Sequence, residues 1–289
     1  MQDQVSGRRW MGSFLSRPGA DLGAWVNSFE TEGMPVLRSS AAALEDLRQH
    51  EDSVDAHLLA ETFASDPLMA LKVLARVSQL RRGRDGTDPE TLTSALVMIG
   101  ITPFFRDFGP QPTVEDQLAD VPGALEGFAR VLRRSHRAAR FALAFAVQRL
   151  DRDAAVIHDA ALLHDFAELL MWLRAPILAR EVADRLAADS TLRSSAAQLA
   201  VLNVELPTLQ HALMVRWRLP RLLIDIADDH RESSSAQARN VILSIRVARH
   251  TAEDWQNPAL ADDVRDIGSL LNLAYEPTLN LLRDIDSTD

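Results

Sequence analysis

The sequence predicts an all-α protein, and three observations carry that expectation. Ala and Leu dominate a chain that is 47% hydrophobic, 6% aromatic and holds only 12 glycines. Apolar residues recur at the three-and-four spacing of a helix face along nearly the whole length. The strict alternation of a half-buried strand is almost absent. At 289 residues the chain is long enough for one large domain or two ordinary ones with an ample core.

Taken in order, the first thirty residues are poorly patterned and are expected as an extension that packs or stays mobile. Helices are expected near 39–49, 55–64, 67–80, 89–99, 121–149, 153–173, 176–187, 191–203, 207–217, 220–230, 235–251, 258–272 and 277–285. Asp66-Pro67 and Asp88-Pro89 each place an acceptor before a proline suited to the first helical turn. Leu219-Pro220 and Glu276-Pro277 mark two further starts. Gly100 is expected to close its helix through a left-handed residue. Two polar loops stand out: Arg81 to Asp88, and Gly109 to Thr113, which reads as a hinge between an N-terminal helical lobe and the rest. Ser233-Ser-Ser reads as a turn or helix start.

Composition excludes several function classes. There is no cysteine, hence no disulfide framework, thiolate metal site or cysteine nucleophile. The net charge of −10 argues against a globally cationic nucleic-acid binder, leaving only local patches such as Arg81-Arg82-Gly83-Arg84. No apolar run reaches membrane-spanning length and no signal peptide is seen, so a cytoplasmic protein without a membrane partner is expected. Lys72 is the only lysine among 31 basic residues, a bias read as a bacterial coding habit.

The residues that invite chemistry are histidines on apolar helix faces. At 100° per residue His136 falls among Leu125, Phe128, Leu132, Ala139 and Leu143, while Arg130, Arg133, Arg137 and Arg140 share a neighbouring flank nearer solvent. That basic stripe could steer an anionic ligand. His164-Asp165 interrupts the apolar run Ala160 to Leu173, where an ionised aspartate is costly unless it is paired or binds a metal. His211 and His230 also lie in or beside apolar stripes. Two readings stand open: His136, His164, Asp165, His211 and His230 form a mixed nitrogen and oxygen site for a divalent cation, or they are hydrogen-bonded core residues. Trp172 and Trp217 read as core anchors; Trp10, Trp25 and Trp255 have no evident place. His50, His57, His158 and His250 read as surface or helix-packing residues.

Six stretches, in this order, resemble the HDOD domain, a bacterial signalling module related to the HD phosphohydrolases. They are Gly33-Met-Pro-Val-Leu, Ala64-Ser-Asp-Pro-Leu-Met-Ala-Leu-Lys-Val-Leu, Leu92-Thr-Ser-Ala-Leu-Val-Met-Ile-Gly, Ala160-Ala-Leu-Leu-His-Asp, His211-Ala with Trp217-Arg-Leu-Pro220, and Ile226-Ala-Asp-Asp-His230. Together they cover about residues 30 to 250. The resemblance implies a multi-helical HD-like bundle: a 1–30 extension, a helical lobe over 31–112, and an HD-like lobe with C-terminal helices over 113–289. It also implies a regulatory, non-catalytic role with a signalling protein partner or small signalling ligand, and no required cofactor. In catalytic HD enzymes the metal is held by a histidine, the His-Asp pair and a later aspartate. His136, His164 and Asp165 match the first three positions. The fourth falls near Val247-Ala248-Arg249-His250, where an arginine would repel a cation. The alternative, a metal-dependent phosphohydrolase using a residual HD site, is therefore put in doubt. Val77-Ser78-Gln79-Leu80, then Arg81-Arg82-Gly83-Arg84, stands where HDOD proteins tend to carry an asparagine–serine pair. The oligomeric state is left open.

Overall fold

The computed structural model describes residues 10, 14–81, 89–189, 191–226 and 235–287. Among them every regular element is helical; the one extended pairing is an isolated parallel bridge between Val36 and Thr113. The expected all-α class holds. The chain divides into two compact units: Met1–Ala129 with Phe166–Arg221, and Arg130–Asp165 with Leu222–Asp289.

The first unit contains α1 (Leu22–Ser28), α2 (Arg38–Gln49), α3 (Ala56–Phe63), α4 (Pro67–Leu80), α5 (Leu92–Ile99), α6 (Ile101–Asp107), α7 (Val114–Leu118) and the first turns of α8 (Ala124–Gln148). It resumes with α10 (Phe166–Arg174), α11 (Pro176–Ala188), α12 (Ser194–Leu202) and α13 (Leu206–Trp217). The second unit holds the rest of α8, then α9 (Ala154–Leu163), α15 (Ala236–His250), α16 (Leu260–Leu271) and α17 (Tyr275–Asp286). Helix α14 (Arg221–Ile226) begins at the division.

Helix α4 is the core of the first unit, with all residues from Pro67 to Ala75 buried. It starts as the sequence predicts. Asp66 Oδ1 accepts from the backbone N–H groups of Leu68 (2.9 Å) and Met69 (3.0 Å), and Pro67 fills the first turn. Asp66 Oδ2 also accepts from Leu37 N–H at 2.8 Å, which ties the start of α2 to the start of α4. Lys72, only 7% exposed, donates to Met34 O at 2.6 Å and to Gln111 Oε1. Burial lowers its pKa to about 8, against the opposing pull of Asp66. Residues 109–113, expected as a hinge, lie inside this unit, where Val36 N–H donates to Pro112 O and Val114 N–H to Val36 O.

Several expectations are refined or corrected. Of the two alternatives for the first thirty residues, packing holds for the described ones: Trp25 is fully buried and its Nε1 donates to Leu202 O at 2.7 Å, and Asn203 Nδ2 donates to Gly19 O. Trp10 is buried as well, its Nε1 donating to Glu30 O. The helix expected from Pro89 starts at Leu92, because Thr91 and Ser94 form a reciprocal capping box. Gly100 ends it with φ 79°, a conformation that favours glycine, yet with ψ 160° rather than the left-handed helical value, and α6 follows at once. The last helix begins at Tyr275, ahead of Pro277. Helices α1, α6 and α7 carry too few apolar repeats to stand out by periodicity. The loop over 82–88 lies outside the described residues, as does His230.

Trp172 and Trp217 are core anchors as expected. Trp172 lies against the backbone of α8 at Gly127, where an added Cβ would sit 2.2 Å from its Cη2. Gly127→Ala is expected to lower unfolding free energy by about 1–3 kcal/mol in urea melts; a variant as stable as the parent would show that the indole can move aside. Because Lys72 is the sole lysine, lysine labelled with ¹³C at Cε gives one side-chain signal. Its shift is expected to titrate with a midpoint of about 8; a midpoint near the ordinary lysine value would contradict the burial described.

Candidate functional site

The helix expected over 153–173 is broken at the His-Asp pair. α9 ends at Leu163, His164 caps it, and α10 begins at Phe166. Asp165 sits in the break with its side chain 8% exposed. Its carboxylate is enclosed by three groups of the second unit. Arg134 Nε of α8 donates to Oδ2 at 2.7 Å. Arg249 Nη2 of α15 donates to Oδ1 at 2.7 Å. His164 Nδ1 lies 3.1 Å from the same Oδ1. Burial by itself would raise the Asp165 pKa; the charges of Arg134 and Arg249 and the His164 hydrogen bond outweigh it and hold the carboxyl well below the usual carboxylate range. These are short, charge-assisted contacts.

The end of α15 that presents Arg249 is itself fixed. Arg137 Nη1 donates to Ala248 O (3.1 Å) and its Nη2 to Thr251 Oγ1 (2.7 Å), the two groups flanking Arg249 in sequence. The same guanidinium forks onto Asp286 at the end of α17, with Nε to Oδ1 at 2.8 Å and Nη2 to Oδ2 at 3.0 Å. On the other side, His250 Nδ1 lies 2.5 Å and Arg246 Nη2 2.6 Å from the fully buried carboxylate of Asp263 in α16. Asn240 Nδ2 donates to Ala142 O, joining α15 to α8. Arg137 is thus a positioning residue for Arg249.

The expected site residues fare unequally. His164 and Asp165 are in contact. His136 is half-buried on α8. His211 is exposed on α13 of the first unit, beside the apolar stripe and not in it. His230 lies outside the described residues. Of the arginine stripe, Arg130 and Arg133 are exposed, whereas Arg137 is half-buried on Asp286 and Arg140 Nη2 stands 4.0 Å from the same carboxylate. The buried face of α8 also differs from the expected one. Leu125 and Leu143 are exposed, and the core-facing residues are Phe128, Val131, Ser135, Ala138, Ala142 and Phe145. Arg134, which the sequence reading passed over, follows Val131 at that face's own spacing, before Ala138 and Phe141. Choosing the face by its aromatics rather than its leucines would have found it.

As arranged, Asp165 does not suit a divalent cation, since each of its oxygens already accepts from a guanidinium. Among the described residues no three His, Asp or Glu side chains are grouped to hold a metal ion. No described helix is long and apolar enough to cross a membrane.

The sequence profile of the HDOD domain matches residues 34–233, more than half of the chain. The chain belongs to the HDOD domain family. Among solved structures, this HDOD protein is similar to the MmoQ response regulator of Methylococcus capsulatus strain Bath, with 21% identity and a TM-score of 0.63 over 86% of this chain and 97% of that one. It is also similar to a virulence factor of Campylobacter jejuni, with 16% identity and the same TM-score of 0.63 over 91% and 98% of the two chains. At these identities the likeness shows the fold. No curated protein matches the sequence. Arg249 lies beyond the residues matched to the HDOD domain, so part of the enclosure of Asp165 comes from the helices that follow it.

The sign of the pH dependence follows from the depressed pKa. The contribution of Asp165 to stability is fully present above its unfolded pKa of about 4 and is lost as pH falls through the lower folded value. Asp165→Asn is expected to cost about 1–3 kcal/mol at pH 7, because the charge-assisted bonds from Arg134 and Arg249 to a buried carboxylate are lost. It should also flatten the acid-side fall of stability in urea melts. An acid limb as steep as in the parent protein would contradict the enclosure described.

Proposed function

We propose that this HDOD protein is a non-catalytic regulatory module of bacterial signal transduction that works by binding a protein partner. The observation that carries this reading is the occupation of Asp165 by Arg134 and Arg249. Metal-assisted hydrolysis requires a carboxylate free to hold the ion that polarises the phosphoryl oxygen and activates water. Here two fixed positive charges stand at 2.7 Å from that carboxylate, and a third cation would meet their repulsion. The His-Asp pair then acts as an internal anchor that organises α8, α9 and α15. Membership of the HDOD family supports the signalling role, and the name of MmoQ as a response regulator accords with it. The pairing of Arg137 and Arg140 with Asp286 weakens the case for a small anionic ligand on the arginine stripe.

The test is metal binding and turnover by the purified chain. Titration with Mn²⁺ followed by electron paramagnetic resonance is expected to show no stoichiometric site that Asp165→Ala removes. Bis-p-nitrophenyl phosphate is expected to be hydrolysed no faster by the parent protein than by that variant. Turnover that vanishes with Asp165→Ala would establish a phosphohydrolase instead.

A further inference from the structure

The second half of α8 presents an apolar stripe that the described chain leaves uncovered. Leu143, Val147 and Leu150 follow one another at four and three residues and are 40%, 61% and 87% exposed. The opposite face, with Ala142, Phe145 and Ala146, is buried, so the stripe is held on a rigid support. The last of the three is doubly costly. Leu150 has φ 58° and closes α8 as a Schellman turn, with Leu150 N–H donating to Val147 O (3.0 Å) and Asp151 N–H to Ala146 O (2.9 Å). That left-handed position favours glycine, and a branched side chain there is strained. A large apolar side chain in this conformation, turned almost wholly to solvent, gains nothing within its own unit.

The stripe continues toward the helix start at the same spacing through Arg140, His136 and Arg133. At this end of the helix Arg134, Arg137 and Arg140 stand against carboxylates of this chain, and Arg130 and Arg133 are exposed. Its solvent face is therefore apolar at one end and basic at the other. Two copies of this face are poor partners for each other. Parallel pairing sets arginine against arginine, and antiparallel pairing sets Arg133 and Arg140 against the apolar end. The stripe also lacks the aromatic residues that anchor a helix at a lipid surface.

We propose that this face of α8 is the docking surface for an amphipathic helix of another protein, one with apolar residues at heptad spacing and acidic residues beside them. This rests on the partner-binding reading above and names where such a partner sits and what recognises it. Leu143, Val147 and Leu150 form the apolar seam, and the exposed Arg130 and Arg133 pair with the partner's carboxylates.

The test uses the full chain and a fluorescein-labelled synthetic peptide of three heptads, with leucine at a and d and glutamate at e and g. Anisotropy is expected to show saturable binding that weakens with added salt and falls at least tenfold in Val147→Glu. Leu150→Gly is the discriminating variant: it should raise Tm by about 2–4 °C, since glycine suits the turn, and yet weaken the peptide about tenfold. No binding to the parent protein, or equal binding to Val147→Glu, overturns the proposal. So does a dimer in light scattering that Val147→Glu dissolves, which would make a second copy the occupant. Binding to phosphatidylglycerol vesicles that the same variant abolishes would make the occupant a membrane. Each of these leaves the metal and turnover measurements untouched, so loss of the docking surface and loss of the non-catalytic reading are told apart.

Discussion

A single buried carboxylate, that of Asp165, sets the terms for its unit. An ionised aspartate in so apolar a run costs several kcal/mol unless its charge is answered. Two arginines answer it, one from α8 and one from α15, at equal distances of 2.7 Å. Much of the surrounding structure serves that arrangement. Arg137 grips the backbone on one side of Arg249 and a hydroxyl on the other. Asp263 holds the same helix end through His250 and Arg246. The carboxylate of Asp286, at the far end of the sequence, completes the grip on Arg137. The ion pairs on Asp165, Asp286 and Asp263 are three clusters that meet at the end of α15, and together they hold it more firmly than isolated surface pairs would.

The same chemistry supports the non-catalytic reading proposed for the His-Asp pair. A metal ion and a guanidinium offer a buried carboxylate the same thing, compensating positive charge. They differ in what they leave open. An ion keeps coordination positions for water and substrate, whereas arginine satisfies the carboxylate with N–H groups and activates nothing. Histidine at 164 and aspartate at 165 are kept in contact, with the aspartate answering cations that belong to the chain.

The fold class, most helix positions and the His-Asp pair were legible in the sequence because they rest on local signals. The Asp66-Pro67 start and the apolar run around Asp165 are examples. The sequence also shows arginine or histidine where the resemblance places the fourth metal ligand. What could not be read was the identity of the partners. Arg134 and Arg249 are 31 and 84 residues from Asp165, and only tertiary packing brings them to it. The face of α8 was misjudged because leucine was weighted as inward; Leu125 and Leu143 are exposed, while small alanines let Phe141 and Phe145 fill the core. Whether the first thirty residues pack was left open in the sequence because the contacts that fasten the described ones, such as the Trp25 indole on Leu202 O, follow no periodicity.

The burial of Lys72 has a consequence for how the folded protein can be controlled. It is the only lysine, and the chain has no cysteine. With its amine enclosed between Met34 and Gln111, the folded state offers acetyl transfer, ubiquitin conjugation or thiol exchange no ready side chain on which to write. Thiol exchange has no site in any state of the chain, and a mark on its lysine side chain requires the cover over Lys72 to open first.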